Sequence, residues 1–177
     1  MESISSQAPK ETTLVHVADL NPAHSNHHLR VRVVHAWLTK HFFNPSKNKS
    51  FEMVFVDELG DTIQGFVKEE WIELFRNILT DGLPIMLSTF QVGKSTDTFR
   101  YSPHAFKVNF QPETKIKVID NFVGPEHHFN FIPFSEIIKN KLKPNEIIDI
   151  IGLVVHVGGI VPGFANNKSN KRRWYAN

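Results

Sequence analysis

HLRVRVVHAWLTKHFFNPSKNKSFEMVFVDELGDTIQGFV, residues 28–67, decides the fold. Its first part alternates polar and apolar residues: Leu29, Val31 and Val33 share one face of an extended chain, and Arg30 and Arg32 share the other. The phase is lost near Val34-His35-Ala36-Trp37, which predicts a bulge or bend in one long strand. KHFFNPSKNK follows, a loop that mixes cations with aromatic rings. SFEMVFV and TIQGFV are then two further strands around a tight turn at Glu58-Leu59-Gly60-Asp61. Val54 and Val56 are apolar beside Phe51, Met53 and Phe55, so the second strand is expected to be buried on both sides for part of its length.

Working outward, Trp71, Ile72, Leu74, Phe75, Ile78 and Leu79 make one apolar stripe and predict a helix over 68–79, stopped by Asp81-Gly82. LPIMLSTFQV reads as a strand, GKSTDT as a turn, FRYSP as a short edge piece limited by Pro103, and AFKVNF as a closing strand. Three strands, a helix and two strands is the order of an all-β OB-fold, a five-stranded Greek-key barrel with one helix between strands 3 and 4. That fold often holds single-stranded nucleic acid. Residues 1–13 read as a flexible tail, 14–120 as the barrel, and 121–144 as a linker with a short helix begun at Ser135. The apolar run IIDIIGLVVHVGGI opens a partial second OB domain over 145–177, expected to leave an exposed apolar edge.

Composition narrows the function classes. With 41% hydrophobic residues and 15 Phe among 177, the chain can build a packed core. A net charge of +2 is too small to imply a polyanionic partner, so the placement of charge has to carry that argument. The absence of cysteine excludes disulfides, thiol catalysis and cysteine-ligated zinc. No run approaches the roughly 20 apolar residues that span a bilayer, and a soluble, intracellular protein is expected. Gly93-Lys94-Ser95-Thr96 resembles the end of a phosphate loop, but Ser88 stands where that motif needs glycine and no helix follows. The spacing of His24 and His28 could hold a metal on a helix, but Asn21-Pro22 and Ser25-Asn26 argue for a loop and no HExxH or cysteine partner exists, so these, His27 and His127-His128 read as solvated loop histidines. No serine sits in a nucleophile elbow, so no enzymatic activity, cofactor or metal is expected.

LNPAHSNHHLRVRVVHAW, SFEMVFVDELGDTIQGFV and AFKVNF, in that order and spacing, resemble the large subunit of replication protein A. The likeness runs over about residues 14 to 160, and it is nearest to the plant-type first OB domain of its paralogues and of related transposon-borne proteins. FIPFSEIIKNKL and IIDIIGLVVHVGG are similar to that family's linker helix and the first strand of its next OB domain. The resemblance implies single-stranded DNA binding in replication, repair and recombination, nuclear residence, and other subunits of the complex as partners. RNA is open as a ligand because the fold serves both polymers.

The resemblance also implies site residues. Lys40 and His41, after Thr39, fall in the contact loop that follows the first barrel strand, with Lys47 and Lys49 beyond them. Phe99, beside Arg100 and Tyr101, takes the place of a stacking aromatic. Lys68 stands where the family has a second aromatic, Gln64 replaces a basic residue, and Arg32 falls on a family arginine. The expected nucleic-acid contacts are therefore Arg32, Lys40, His41, Lys68, Phe99 and Arg100, and Trp37 is expected in the core. The alternative is a protein-interaction module whose nucleic-acid face has decayed, which the loss of the aromatic at Lys68 favours. Phe99 discriminates: facing the groove it supports binding, and buried it supports the alternative.

Overall fold

The computed structural model describes residues 13–23, 27–139, 141–142, 145 and 147–155. A short strand, β1 (Thr13–Val15), runs parallel to the start of the longest one, β2 (His27–Lys40). The 14 residues of β2 serve two partners. Leu29–Arg32 pair with β5 (Pro84–Ser88), and Arg32–Lys40 pair with β3 (Asn48–Val56), both antiparallel. Between them the register slips from Val33↔Phe55 to His35↔Val54, which leaves Val34 as the bulge that the lost phase predicts.

β3 continues through the Asp57–Asp61 turn into β4 (Thr62–Lys68), which lies parallel to β7 (Phe106–Asn109). β7 pairs with β6 (Gln91–Lys94), and β5 and β6 are one run of chain bent at Thr89, where φ is +57°. The five expected strands thus close as β2, β3, β4, β7 and the bent β5/β6, which is the OB-fold order. Two strands lie outside the sequence-based expectation: β1, beside the start of β2, and β8 (Lys115–Val118), which adds to the free side of β5.

Alternation explains the core. Leu29, Val31 and Val33 of β2, Phe51, Met53 and Phe55 of β3, and Ile63 and Val67 of β4 all point inward and are buried. Phe110 meets Phe55 and Phe75 at 6.2 and 5.1 Å between ring centroids. Gly65 makes room for this packing, because a Cβ there would lie 2.5 Å from the Phe55 ring and 2.7 Å from Met53 Cγ. Val56, on the other side of β3, is buried as well, as its apolar sequence predicts.

The helix expected over 68–79 is much shorter. A 3-10 turn covers Glu69–Trp71 and a single α turn, α1 (Ile72–Phe75), follows. Ile72, Phe75 and Leu79 plug the barrel end, while Leu74 and Ile78 remain exposed. The chain cannot continue as helix because it must return to the β2 bend. Gly82, at φ +82°, donates its N–H to Val33 O at 2.7 Å, and Asp81 accepts from Ala36 N–H at 2.8 Å. The second helix forms near its expected start, as α2 (Phe134–Ile138).

The segment read as the first strand of a second barrel forms no strand over 147–155. It is held instead by one β-bridge, Phe131 to Asp149, with Asp149 also accepting from Asn130 N–H, and by the Ile147 N–H donated to Arg100 O. Ile150, Ile151, Leu153, Val154 and Val155 are exposed there, and the remainder of that expected domain, 156–177, lies outside the described residues. So does the expected tail except Thr13, which opens β1. FRYSP is not a strand either: Arg100 exchanges main-chain hydrogen bonds with Asn145 and Ile147 at 3.0 and 3.1 Å, and the loop turns around them.

Gly65→Val is expected to lower the stability to urea by about 1–3 kcal/mol through overpacking against Phe55. Asp57, buried in its turn, accepts from the N–H groups of Val17, Leu59 and Asp61 at 2.9–3.0 Å. Asp57→Ala strands those donors and is expected to cost about 2–4 kcal/mol, read as a shifted urea midpoint.

Candidate functional site

Beyond the bulge at Val34 the side-chain alternation of β2 restarts, and His35, Trp37 and Thr39 face away from the core. They join the outer residues of β3 and β4 in three rows set by the strand register: Thr39–Ser50–Lys68, Trp37–Glu52–Phe66 and His35–Val54–Gln64. Polar groups in these rows are tied to one another. Ser50 Oγ shares a hydrogen bond with Thr39 Oγ1 and donates to Glu52 Oε1 at 2.8 Å, and Gln64 Nε2 donates to Glu52 Oε2 at 3.1 Å. This holds Glu52 in place at the centre of the face.

Aromatic rings cross the same face. Trp37 stacks on His35 with 5.5 Å between centroids, and Tyr101, from the loop between β6 and β7, leans on Trp37 at 4.7 Å. Phe66 carries the Lys107 ammonium 4.6 Å above its ring, and Lys107 is also paired with Asp97 at 3.0 Å. Trp37 is therefore not a core residue, contrary to expectation. The bulge resets its side to the outer face, where it is half-buried by its neighbours. Ser102 anchors the overlying loop by donating to Thr62 O at 2.6 Å.

The six sequence-derived candidates separate into two groups. Lys40, His41 and Lys68 come together at the end of the face next to the β2–β3 loop. Lys40 Nζ donates to Asn48 Oδ1 at 2.6 Å, His41 Nε2 lies 2.8 Å from Glu69 Oε2, and Lys68 Nζ sits 5.1 Å above the Trp71 ring. Phe99 is 56% exposed on the β6–β7 loop. The two arginines are instead occupied by main-chain carbonyls. Arg32 donates to Gly82 O at 2.9 Å and Pro125 O at 3.1 Å, with its guanidinium 5.0 Å over Phe122. Arg100 donates to Pro103 O and His104 O at 2.8 and 2.7 Å. A planar fork with five donors suits such tying of loops. Arg30 does the same for Asn121 O at 2.7 Å.

Sequence reasoning missed Trp37, Tyr101, Phe66 and Lys107 as members of this face. The signal was present for Trp37: restarting the two-residue period after Val34 puts it beside Thr39. For Tyr101 there was none, because loop geometry decides where it lands. Among the described residues no group of acidic residues, histidines or cysteines is arranged to hold a metal ion.

The family model described as domain of unknown function DUF223 matches residues 18–140, about two thirds of the chain, and the chain belongs to that family. No curated protein sequence matches it. Among solved structures it is similar to a replication protein A heterotrimer bound to single-stranded DNA, with 19% identity and a TM-score of 0.58, over 82% of this chain and 33% of that one. The chain thus spans about a third of that relative's length. It is also similar to an OB domain from Methanosarcina mazei, with 23% identity and a TM-score of 0.48, over 68% of this chain and 97% of that one. DNA-binding domain A of Saccharomyces cerevisiae replication protein A matches with 18% identity and a TM-score of 0.46, over 63% and 97%. The first of these likenesses shows the OB fold.

Arg32→Ala is expected to lower stability by about 1–3 kcal/mol, because two loop carbonyls, of Gly82 and Pro125, lose a charged donor. A urea midpoint unchanged from wild type would show that the guanidinium does not hold the 122–125 segment.

Proposed function

We propose that this DUF223 chain binds single-stranded DNA on the outer face of β2, β3 and β4, by stacking bases on aromatic rings and by meeting phosphates with lysines. The observation that carries this is the ledge of Trp37, Tyr101 and Phe66 across the centre of that face. Rings in this position have no core to fill, and base stacking is worth about 1–3 kcal/mol per base. Lys40 and Lys68 border one end of the ledge, and Lys107 and the exposed Phe99 lie toward the β6–β7 loop. The ledge also offers stacking surface on a face where Lys68 stands in place of the expected second aromatic. Two further facts support the proposal: the fold is shared with a replication protein A chain whose structure holds single-stranded DNA, and Phe99 is exposed. A replication protein A type role in replication, repair and recombination, with nuclear residence, follows from the same proposal, as does a binding function without an enzymatic step.

The second reading is a protein-interaction module. It is favoured by the two candidate arginines, Arg32 and Arg100, being spent on main-chain carbonyls, which leaves lysines as the cations of the face.

Fluorescence anisotropy of labelled oligo-dT across a salt series separates the two. Affinity should fall steeply with salt, and Trp37→Ala should weaken binding roughly tenfold. Phe99→Ala should weaken it several-fold, and the same series with oligo-rU ranks RNA against DNA. Absence of binding by wild type at low salt would overturn the single-strand reading and point to the interaction module.

A further inference from the structure

The β2–β3 loop holds the two most exposed aromatic side chains among the described residues, Phe42 at 87% and Phe43 at 95%. Neither belongs to the core or to the ledge. Their rings meet edge to face, 5.1 Å apart at 89°, so the contact covers one face of one ring and leaves the other faces open to solvent. The loop beneath them is built. His41 N–H donates to Lys47 O at 3.2 Å, Lys47 N–H donates to Asn44 O at 3.0 Å, and Ser46 Oγ donates to Asn44 Oδ1 at 2.5 Å around Pro45. Two rigid rings on a closed turn lose little freedom on binding. The loop's own charges have one sign: Lys40, Lys47 and Lys49 flank the rings and no Asp or Glu occurs between Lys40 and Phe51, while Glu69, from the turn before α1, is held by His41 Nε2 at 2.8 Å. Exposed π-faces set among cations fit a polyanion that carries flat bases better than they fit an apolar protein surface.

We propose that Phe42 and Phe43 form a second stacking station, outside the barrel face, for the next one or two unpaired bases of the same strand as it passes Lys40. This rests on the single-strand reading above, and it makes the β2–β3 loop a determinant of site length. Phosphates flanking those bases meet Lys47 and Lys49.

The test compares oligo-dT of about five nucleotides, enough for the ledge, with oligo-dT of about twelve, within the span usual for one OB fold. The double variant Phe42→Ala/Phe43→Ala removes only exposed side chains and keeps the lysines. It should lose roughly tenfold in affinity for the longer oligonucleotide and less than about twofold for the shorter. Phe42→Tyr/Phe43→Tyr, which keeps the rings, should bind both as wild type does. Equal losses at both lengths, or no loss at either, would overturn the second station. Sedimentation of wild type and double variant at matched concentration adds a further check: a dimer that dissociates only in the variant would assign the rings to a second copy of the chain. If wild type binds neither length, the function proposed above fails first and this station falls with it; if wild type binds both and the variant matches it, only the station is lost.

Discussion

The bend in β2 is the constraint on which the structure depends. One strand has to pair with β5 on one side and β3 on the other, and a straight strand cannot do both in a small barrel. Val34 is the extra residue that allows the turn. The exposed polar groups it leaves are taken up by the segment after α1: Asp81 receives Ala36 N–H and approaches His35, Gly82 donates to Val33 O, and Val33 N–H donates to Leu83 O. This stitching sets where α1 must end and therefore why it is one turn long. It also rotates Trp37 onto the outer face, so the architecture of the core and the composition of the candidate site follow from the same bulge.

Charge in this protein divides between holding the fold and facing solvent. Arg30, Arg32 and Arg100 each satisfy carbonyls of loops that run over the barrel, which is work suited to a fork of fixed donors. The lysines at 40 and 68 make lighter contacts, one to an amide and one over a ring, and both keep an exposed ammonium. Exchanging these contacts for a phosphate costs little, whereas withdrawing Arg32 or Arg100 would leave carbonyls unpaired. That asymmetry ranks lysines above arginines as ligand contacts here, although sequence alone ranks them together.

The loop between β6 and β7 is positioned from two directions. Ser102 fastens it to Thr62 in β4, and Arg100 exchanges main-chain hydrogen bonds with Asn145 and Ile147 beyond the barrel. Tyr101 lies between these two anchors and is carried onto Trp37. The segment after α2 therefore bears on the candidate face through its backbone pairing with Arg100.

Much of the fold is legible in the sequence because barrel strands carry a two-residue period. The alternation of Leu29, Val31 and Val33, of Phe51, Met53 and Phe55, and the turn expected at Glu58–Asp61 are local patterns; the alternation appears in the structure, and the turn forms one residue earlier, closed by Gly60 N–H on Asp57 O. The loss of phase at Val34 was legible too, but its consequence for Trp37 was not, since a bulge changes sides only relative to a partner strand. The stripe at 71–79 shows the same limit: its spacing is helical, but two of its residues face solvent once the chain is pulled back to β2. By itself the sequence determined the strand order, the core and a cationic, ring-bearing loop, because those depend on residues near one another in the chain. Only the tertiary structure decided which cations are free and which rings share a face. Those outcomes depend on carbonyls and strand registers supplied by segments dozens of residues away.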